Sequence, residues 1–198
     1  MSRTTPVVTV SLVTWNGLEW LPGCLDSLAA QTIEDYELLV FDNGSTDGSV
    51  EWLRERAAAD DRIRVVESDE NLGYAPAHNR TIGAARGEAV LLLNQDVELD
   101  ARFLEAAEAV LLDRPDVAAV QGLVWRLDGP GARTDVVDTA GLVMHRDRRV
   151  VSRDQRQVVA DPGAYRAVPI WGADGPAPLF RRSALEDARA LRADGLVV

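Results

Sequence analysis

Asp42 ends the apolar run "ELLVFD" and is followed at once by "NGSTDGS", which holds more Gly, Ser and Thr than a turn requires. A carboxylate there can accept hydrogen bonds from a nucleobase N–H or a ribose hydroxyl, and Gly44 lets backbone approach a bound group closely. A helix starting just beyond would offer its free N–H groups to phosphate. The competing reading is an Asx-turn made by Asp42 and Asn43, with the polar run as ordinary loop. Polar stretches of the same kind occur at "TWN" (14–16), "NLGY" (71–74) and "NQD" (94–96). The chain has no lysine, so all 21 basic residues are arginine. That removes the P-loop lysine, Schiff-base chemistry and lysine bases, and leaves the planar guanidinium as the only side-chain cation for phosphate.

The elements that must carry these residues are legible from the apolar pattern. Val- and Leu-rich runs at 7–15, 37–42, 63–68 and 89–96 hardly alternate, which predicts strands buried on both faces. Between the first two, Leu18, Leu21, Leu25 and Leu28 mark one face of a helix, with Asn16 and Glu19 as its expected capping box. Further helices are predicted over 47–59, within 75–86 and over 100–113, the last burying Phe103, Leu104, Ala107 and Leu111. Alternating strands and helices imply right-handed βαβ units and a mostly parallel sheet. In such a sheet ligands bind outside the carboxyl ends of the strands, and each polar stretch falls at such an end. The first turn, "TWNGLEW", lacks G-x-G-x-x-G, which argues against a nicotinamide or flavin site.

From about residue 124 the rhythm changes to short β-rich pieces with a turn signal at "DGPG", predicting hairpins laid on the sheet. A last helix is expected to begin with Ser183 and Glu186 as a capping box and to reach Gly195. The expected organisation is an α/β half over 1–123 and a hairpin region with terminal helix over 124–198, both of one domain. The formal charge of −11 argues against general nucleic-acid binding. The lone Cys24 excludes an internal disulfide and a cysteine zinc cluster. No long apolar run or leader-like start is present, so the cytoplasm is the expected location, with its membrane face as the alternative.

The stretches "VSLVTWNGLEWLPGCLDSLAAQTIEDYELLVFDNGSTDGSVEWL" and "NLGYAPAHNRTIGAARGEAVLLLNQDVELDARFLEA" resemble the N-terminal half of a family-2 glycosyltransferase of the GT-A fold. The likeness is to bacterial rhamnosyltransferase-like members that act on lipid-linked or cell-wall glycans. It covers residues 7–125, with a weaker echo at 175–185. It implies a three-layer α/β fold and a nucleoside-diphosphate sugar donor, such as deoxythymidine-diphosphate rhamnose, with a glycan or polyprenyl-linked acceptor. On this resemblance Thr14, Trp15 and Asn16 line the nucleobase pocket, and Asp42, followed by Asn43 and Gly44, takes the base or ribose. Asn71 and Gly73 lie near ribose and diphosphate, Asn79 braces their loop, and Asn94 meets a ribose hydroxyl. Asp96 becomes the aspartate of a DXD-like element, holding Mg²⁺ or Mn²⁺ together with the diphosphate. Trp171, Asp174, Gly175 and Arg181 fall on the acceptor side, where Asp174 is a weak candidate for the base.

His78 is expected at the surface or in a cap. The cluster Arg146, Arg148, Arg149, Arg153 and Arg156, interleaved with Asp147 and Asp154, reads as a solvated hairpin before it reads as a site for lipid headgroups or a polyprenyl diphosphate. The family's acidic pair follows the G-x-x-x-L-x-R-R element, whereas Glu186 and Asp187 lie in the first turn after Arg182. The resemblance therefore leaves two expectations: an inverting transferase whose base lies beyond this sequence, or a donor-binding module without turnover. A nucleotidyltransferase is a third, disfavoured by a first loop without glycine richness or basic residues.

Overall fold

The structure, a computed structural model, describes residues 6–159, 163 and 165–193, with side chains through 188. Four parallel strands form its centre: β1 (Val8–Thr14), β2 (Tyr36–Asp42), β3 (Ile63–Glu67) and β4 (Ala89–Asn94). Between them run α1 (Leu21–Ala29), α2 (Ser49–Ala59) and α3 (Tyr74–Gly83), and α4 (Phe103–Asp113) follows β4. The sheet continues with β5 (Ala119–Val120), and a late strand, β10 (Leu179–Arg181), inserts antiparallel between β4 and β5. The order is β3-β2-β1-β4-β10-β5. Two hairpins lie outside this sheet: β6 (Val124–Leu127) with β7 (Arg133–Thr139), and β8 (Leu142–Met144) with β9 (Val150–Ser152). The final helix is α5 (Arg182–Ala193).

Strand alternation separates the two faces of the sheet. Val8, Val10, Leu12, Leu38, Val40, Leu91 and Leu93 face a core shared with Leu21, Leu28, Leu53 and Leu104 from α1, α2 and α4. Each such leucine gains about 1.5–3 kcal/mol from burial. The intervening residues Thr9, Ser11 and Glu37 face the other way and are buried polar groups with partners. Glu37 accepts the Thr9 hydroxyl at 2.7 Å and pairs with Arg64 and Arg86 at 2.9 and 2.7 Å. Burial pushes its carboxyl up, but these hydrogen bonds and the Arg86 charge outweigh that and hold it below the ordinary value. Ser11 meets His78 Nδ1 at 2.7 Å and the Thr81 hydroxyl beneath α3.

Several sequence expectations are corrected here. β3 is an edge strand with Val66 51% exposed, not a strand buried on both faces. Asn16 and Glu19 do not cap α1, which starts at Leu21 with a proline in its first turn. Asn16 is instead in the left-handed region at φ 48°. Ser183 lies inside α5 rather than ahead of it, and Glu186 pairs back to Arg182 at 2.8 Å. The expected helix end at Gly195 lies outside the described residues. His78 is 2% exposed, not a surface residue, because α3 lays it directly on Ser11.

Candidate functional site

The parallel register brings three strand ends side by side, with Thr14 opposite Asp42 and Val13 opposite Asn94. Asp42 and Asn94 flank β1, so their backbones stand about 10 Å apart at the usual strand spacing. Much of the polar run after Asp42 is used to lace the first two loops together. Asn16 N–H donates to Ser45 Oγ, Thr46 N–H to Asn16 Oδ1, Gly17 N–H to Ser49 Oγ and Leu18 N–H to Asp47 Oδ2, all at 2.8–3.1 Å. These side chains replace missing backbone partners in a loop that carries no ladder of its own. The surplus of small polar residues is thus partly structural. No sequence pattern marks it, because the partners are some 30 positions apart.

Asp42 makes the Asx-turn read from the sequence with one of its two oxygens. Its Oδ1 accepts Gly44 and Ser45 N–H at 3.1 and 2.9 Å, an Asx-turn. Its Oδ2 is buried and has no hydrogen-bond partner among the described residues, in a residue 1% exposed. A buried carboxylate oxygen left unpaired is costly and is the kind of atom that a ligand completes. Gly44 has φ 79°, and a Cβ there would meet the Glu70 backbone at 3.2 Å. Its glycine is therefore demanded by the neighbouring loop as well as by the turn.

Asn43 is 3% exposed and braces the next loop, accepting Leu72 N–H at 3.0 Å and donating to Gly73 O at 3.4 Å. The bracing expected of Asn79 belongs to Asn43, while Asn79 lies exposed on α3. Asn71 is exposed and turns the chain through its own contact to Gly73 N–H at 2.8 Å. Tyr74, to which the sequence assigned no role, donates its hydroxyl to Gly175 O at 3.2 Å and packs edge-on to His78. It links the Asn71–Gly73 loop to the segment around Gly175.

In "NQD", the middle residue ties the element to β1. Gln95 Oε1 accepts the Thr14 hydroxyl at 2.6 Å and Trp15 N–H at 2.9 Å, leaving the Trp15 ring 53% exposed. Asp96 is exposed, with no ion pair or hydrogen bond to its carboxylate among the described residues. With Asn94 it borders a groove of about 1060 Å³, also lined by Phe103, Trp125, Asp138 and Tyr165. Among the described residues no three His, Cys, Asp or Glu gather into a cation cage. A single free carboxylate on a wide groove fits a hard cation that takes most of its shell from phosphate and water. Nearby Cys24 is inert: burial first, then the Asp96 and Glu98 charges, push its thiol up to about 12.

The segment around Asp174 closes the same edge, since Asn94 N–H donates to Pro176 O at 3.0 Å. Asp174 receives the Ser152 hydroxyl at 2.6 Å and Gly175 N–H at 2.9 Å, while its own N–H donates to Gln121 Oε1 at 2.9 Å. Burial raises its carboxyl, but hydrogen bonds from Ser152, Gly175 and Thr139 win and hold it below the ordinary value. Trp171 is 57% exposed beside β8, and Gly175 is exposed with open space around it. Arg181 is not brought to this edge. It lies opposite Ala89, at the amino end of β4, and its guanidinium caps α4 through Leu111, Val117 and Arg114 carbonyls at 2.6–3.2 Å.

Residues 9–187 match the Glycosyl transferase family 2 profile. EpsH of Bacillus subtilis, named a putative glycosyltransferase, is 30% identical over 113 residues, which are 57% of this chain and 33% of EpsH. The mannosyltransferase PcManGT from Pyrobaculum calidifontis, solved with GDP-Man and Mn²⁺, is 25% identical with a TM-score of 0.63, covering 94% of this chain and 47% of that one. S. aureus TarS, solved with UDP-GlcNAc, shares the fold at 20% identity and a TM-score of 0.62, over 92% of this chain and 47% of its own. The chain thus spans between a third and half of these relatives' length. With a mostly parallel sheet of the GT-A kind and a profile match over nearly its whole length, this chain belongs to glycosyl transferase family 2.

Proposed function

We propose that the chain binds a nucleoside-diphosphate sugar across the carboxyl ends of β1, β2 and β4 and serves inverting transfer of the sugar to a cell-wall, polysaccharide or lipid-linked glycan. The carrying observation is the buried, unpartnered Oδ2 of Asp42, beside a loop already rigidified by Asn16, Ser45 and Asp47. That oxygen accepts a donor from base or ribose, with Thr14, Trp15 and Asn16 flanking the base. Asn71 and Gly73 border the ribose and diphosphate, and Asn94 reaches a ribose hydroxyl. Asp96 would hold Mg²⁺ or Mn²⁺, which would supply positive charge against the diphosphate of the donor. The complex of PcManGT with GDP-Man and Mn²⁺ supports that pairing.

The groove beside Asp96, with Trp125 and Tyr165 in its lining, receives the acceptor. Asp174 organises this side rather than acting as base, because its oxygens are already hydrogen-bonded and its carboxyl is held acidic. Glu186 and Asp187 belong to a helix that sets out from the amino edge of β4, where Arg182 N–H meets Glu88 O. Donor identity is tested with a panel of uridine, guanosine and deoxythymidine diphosphate sugars, rhamnose included, following nucleotide release and the anomeric configuration of product by NMR. Inverted product supports the reading, retained configuration contradicts it, and tight nucleotide binding without turnover favours the binding-module alternative.

A further inference from the structure

The β8–β9 hairpin is more than a solvated loop. Its strands pair Met144 with Val150 and Val143 with Val151, and His145 N–H to Arg149 O at 2.8 Å closes the turn. Met144 is 48%, Val150 42% and Val151 39% exposed, and Trp171, 57% exposed, sits on the segment hydrogen-bonded to Leu142. Residues 144–153 hold four arginines against one aspartate, in a chain of formal charge −11. Arg149 pairs with Asp147 at 2.7 Å and Arg153 with Asp154 at 3.3 Å. Arg146 and Arg148 are exposed, and their guanidiniums enter no ion pair among the described residues. The hairpin therefore combines bare aliphatic and indole surface with free guanidinium groups, on a molecule that is otherwise acidic.

We propose that this hairpin docks the protein on an anionic lipid bilayer. Met144 and Val150, cross-strand partners on one face of the hairpin, enter the boundary between headgroups and acyl chains together with the Trp171 ring, where an indole is favoured. Arg146 and Arg148 take lipid phosphates, a role suited to the forked guanidinium. The local positive charge is needed for orientation, because an anionic surface repels the rest of the chain.

The root of the hairpin is fixed to the site, since Ser152 donates to Asp174 at 2.6 Å and Tyr74 reaches the next residue, Gly175. The turn stands roughly 13 Å beyond Ser152 at the usual rise per residue. A bilayer held there meets the acceptor side of the candidate site and leaves the Asp42 side facing solvent. The docking does not depend on what the site transfers.

The test is co-sedimentation of the 198-residue chain with vesicles of equal parts phosphatidylglycerol and phosphatidylcholine, and with phosphatidylcholine alone. Binding is expected only to the anionic vesicles at low salt, and should be lost near about 1 M salt, where the Debye length falls to about 3 Å. Arg146→Gln with Arg148→Gln should weaken partition about 30-fold, roughly fivefold per arginine. Val150→Ser should weaken it at unchanged charge, and Arg114→Gln, removed from a pair with Asp116, should leave it unaltered. Unchanged circular dichroism and melting keep the comparison to the surface. No sedimentation with anionic vesicles, or equal partition of wild type and the double arginine variant, overturns the proposal.

Discussion

Asp42→Asn separates the turn from the ligand. Asparagine keeps a carbonyl oxygen for Gly44 and Ser45 N–H, now at 3.1 and 2.9 Å from Oδ1, but puts an NH₂ where the unpartnered Oδ2 stands. The turn should survive, with a stability loss of no more than about 1 kcal/mol as charge-assisted bonds become neutral ones. A base or ribose donor would now face a donor. Losing a hydrogen bond to a charged group costs about 1.5–3 kcal/mol, or about 10- to 150-fold in nucleotide affinity. Asp42→Ala should lose as much affinity and also leave two N–H groups without an acceptor, lowering stability by about 1–3 kcal/mol for each one that stays buried. Calorimetry with uridine, guanosine and deoxythymidine diphosphates, beside thermal unfolding, reads both effects. If Asp42→Asn binds every nucleotide as wild type does while Asp42→Ala merely melts early, Asp42 is a turn residue and the site assignment fails.

Burial holds His78 at about 4, below the ordinary 6.5, so the unfolded ring takes a proton before the native one does. Stability should therefore fall between about pH 6.5 and 4, by about 3 kcal/mol in all, and His78→Gln should remove that slope in urea titrations; an unchanged slope would assign the loss to carboxylates. Asp174→Asn should lower turnover by less than about tenfold with the pH profile intact, whereas a loss of about 10²–10⁴ with the acid limb gone would make Asp174 the base. Tyr74→Phe removes the bond to Gly175 O at 3.2 Å and should raise acceptor KM a few-fold at constant nucleotide affinity; weakened nucleotide binding instead would move Tyr74 into the donor site.

The strand ends that carry Thr14, Asp42 and Asn94 were legible because buried parallel strands are continuous apolar runs, and their polar exits stand out against them. The helices after them, and a hairpin at the "DGPG" turn, were expected in the same way, whereas the β8–β9 turn, His145–Arg149, holds no Gly, Pro or Asn to mark it. What escaped depends on pairing at long range. Leu179–Arg181 is a strand only because β4 lends it an edge, and three residues hold no period to read. Asn16 looked like a helix cap because its spacing to Glu19 is right, yet Ser45 and Thr46, from a distant loop, claim it. His78, inside "APAHN", is expected at the surface or in a cap, and only the α3–β1 packing onto Ser11 buries it. Arg181 looked acceptor-facing by motif, but an antiparallel β10 carries it to the amino end of β4.

The most direct test of the central claim is a thermodynamic cycle of nucleotide and Mn²⁺ on wild type and Asp96→Ala. Asp96 is exposed and free of ion pairs among the described residues, and no cage surrounds it, so cation and diphosphate should bind together or hardly at all. Calorimetry should show Mn²⁺ tightening nucleoside diphosphate binding to wild type by at least about tenfold, or about 1.4 kcal/mol of coupling, with that coupling abolished in Asp96→Ala. Full coupling retained by Asp96→Ala, or no nucleotide binding by wild type with Mn²⁺ present, would contradict the account.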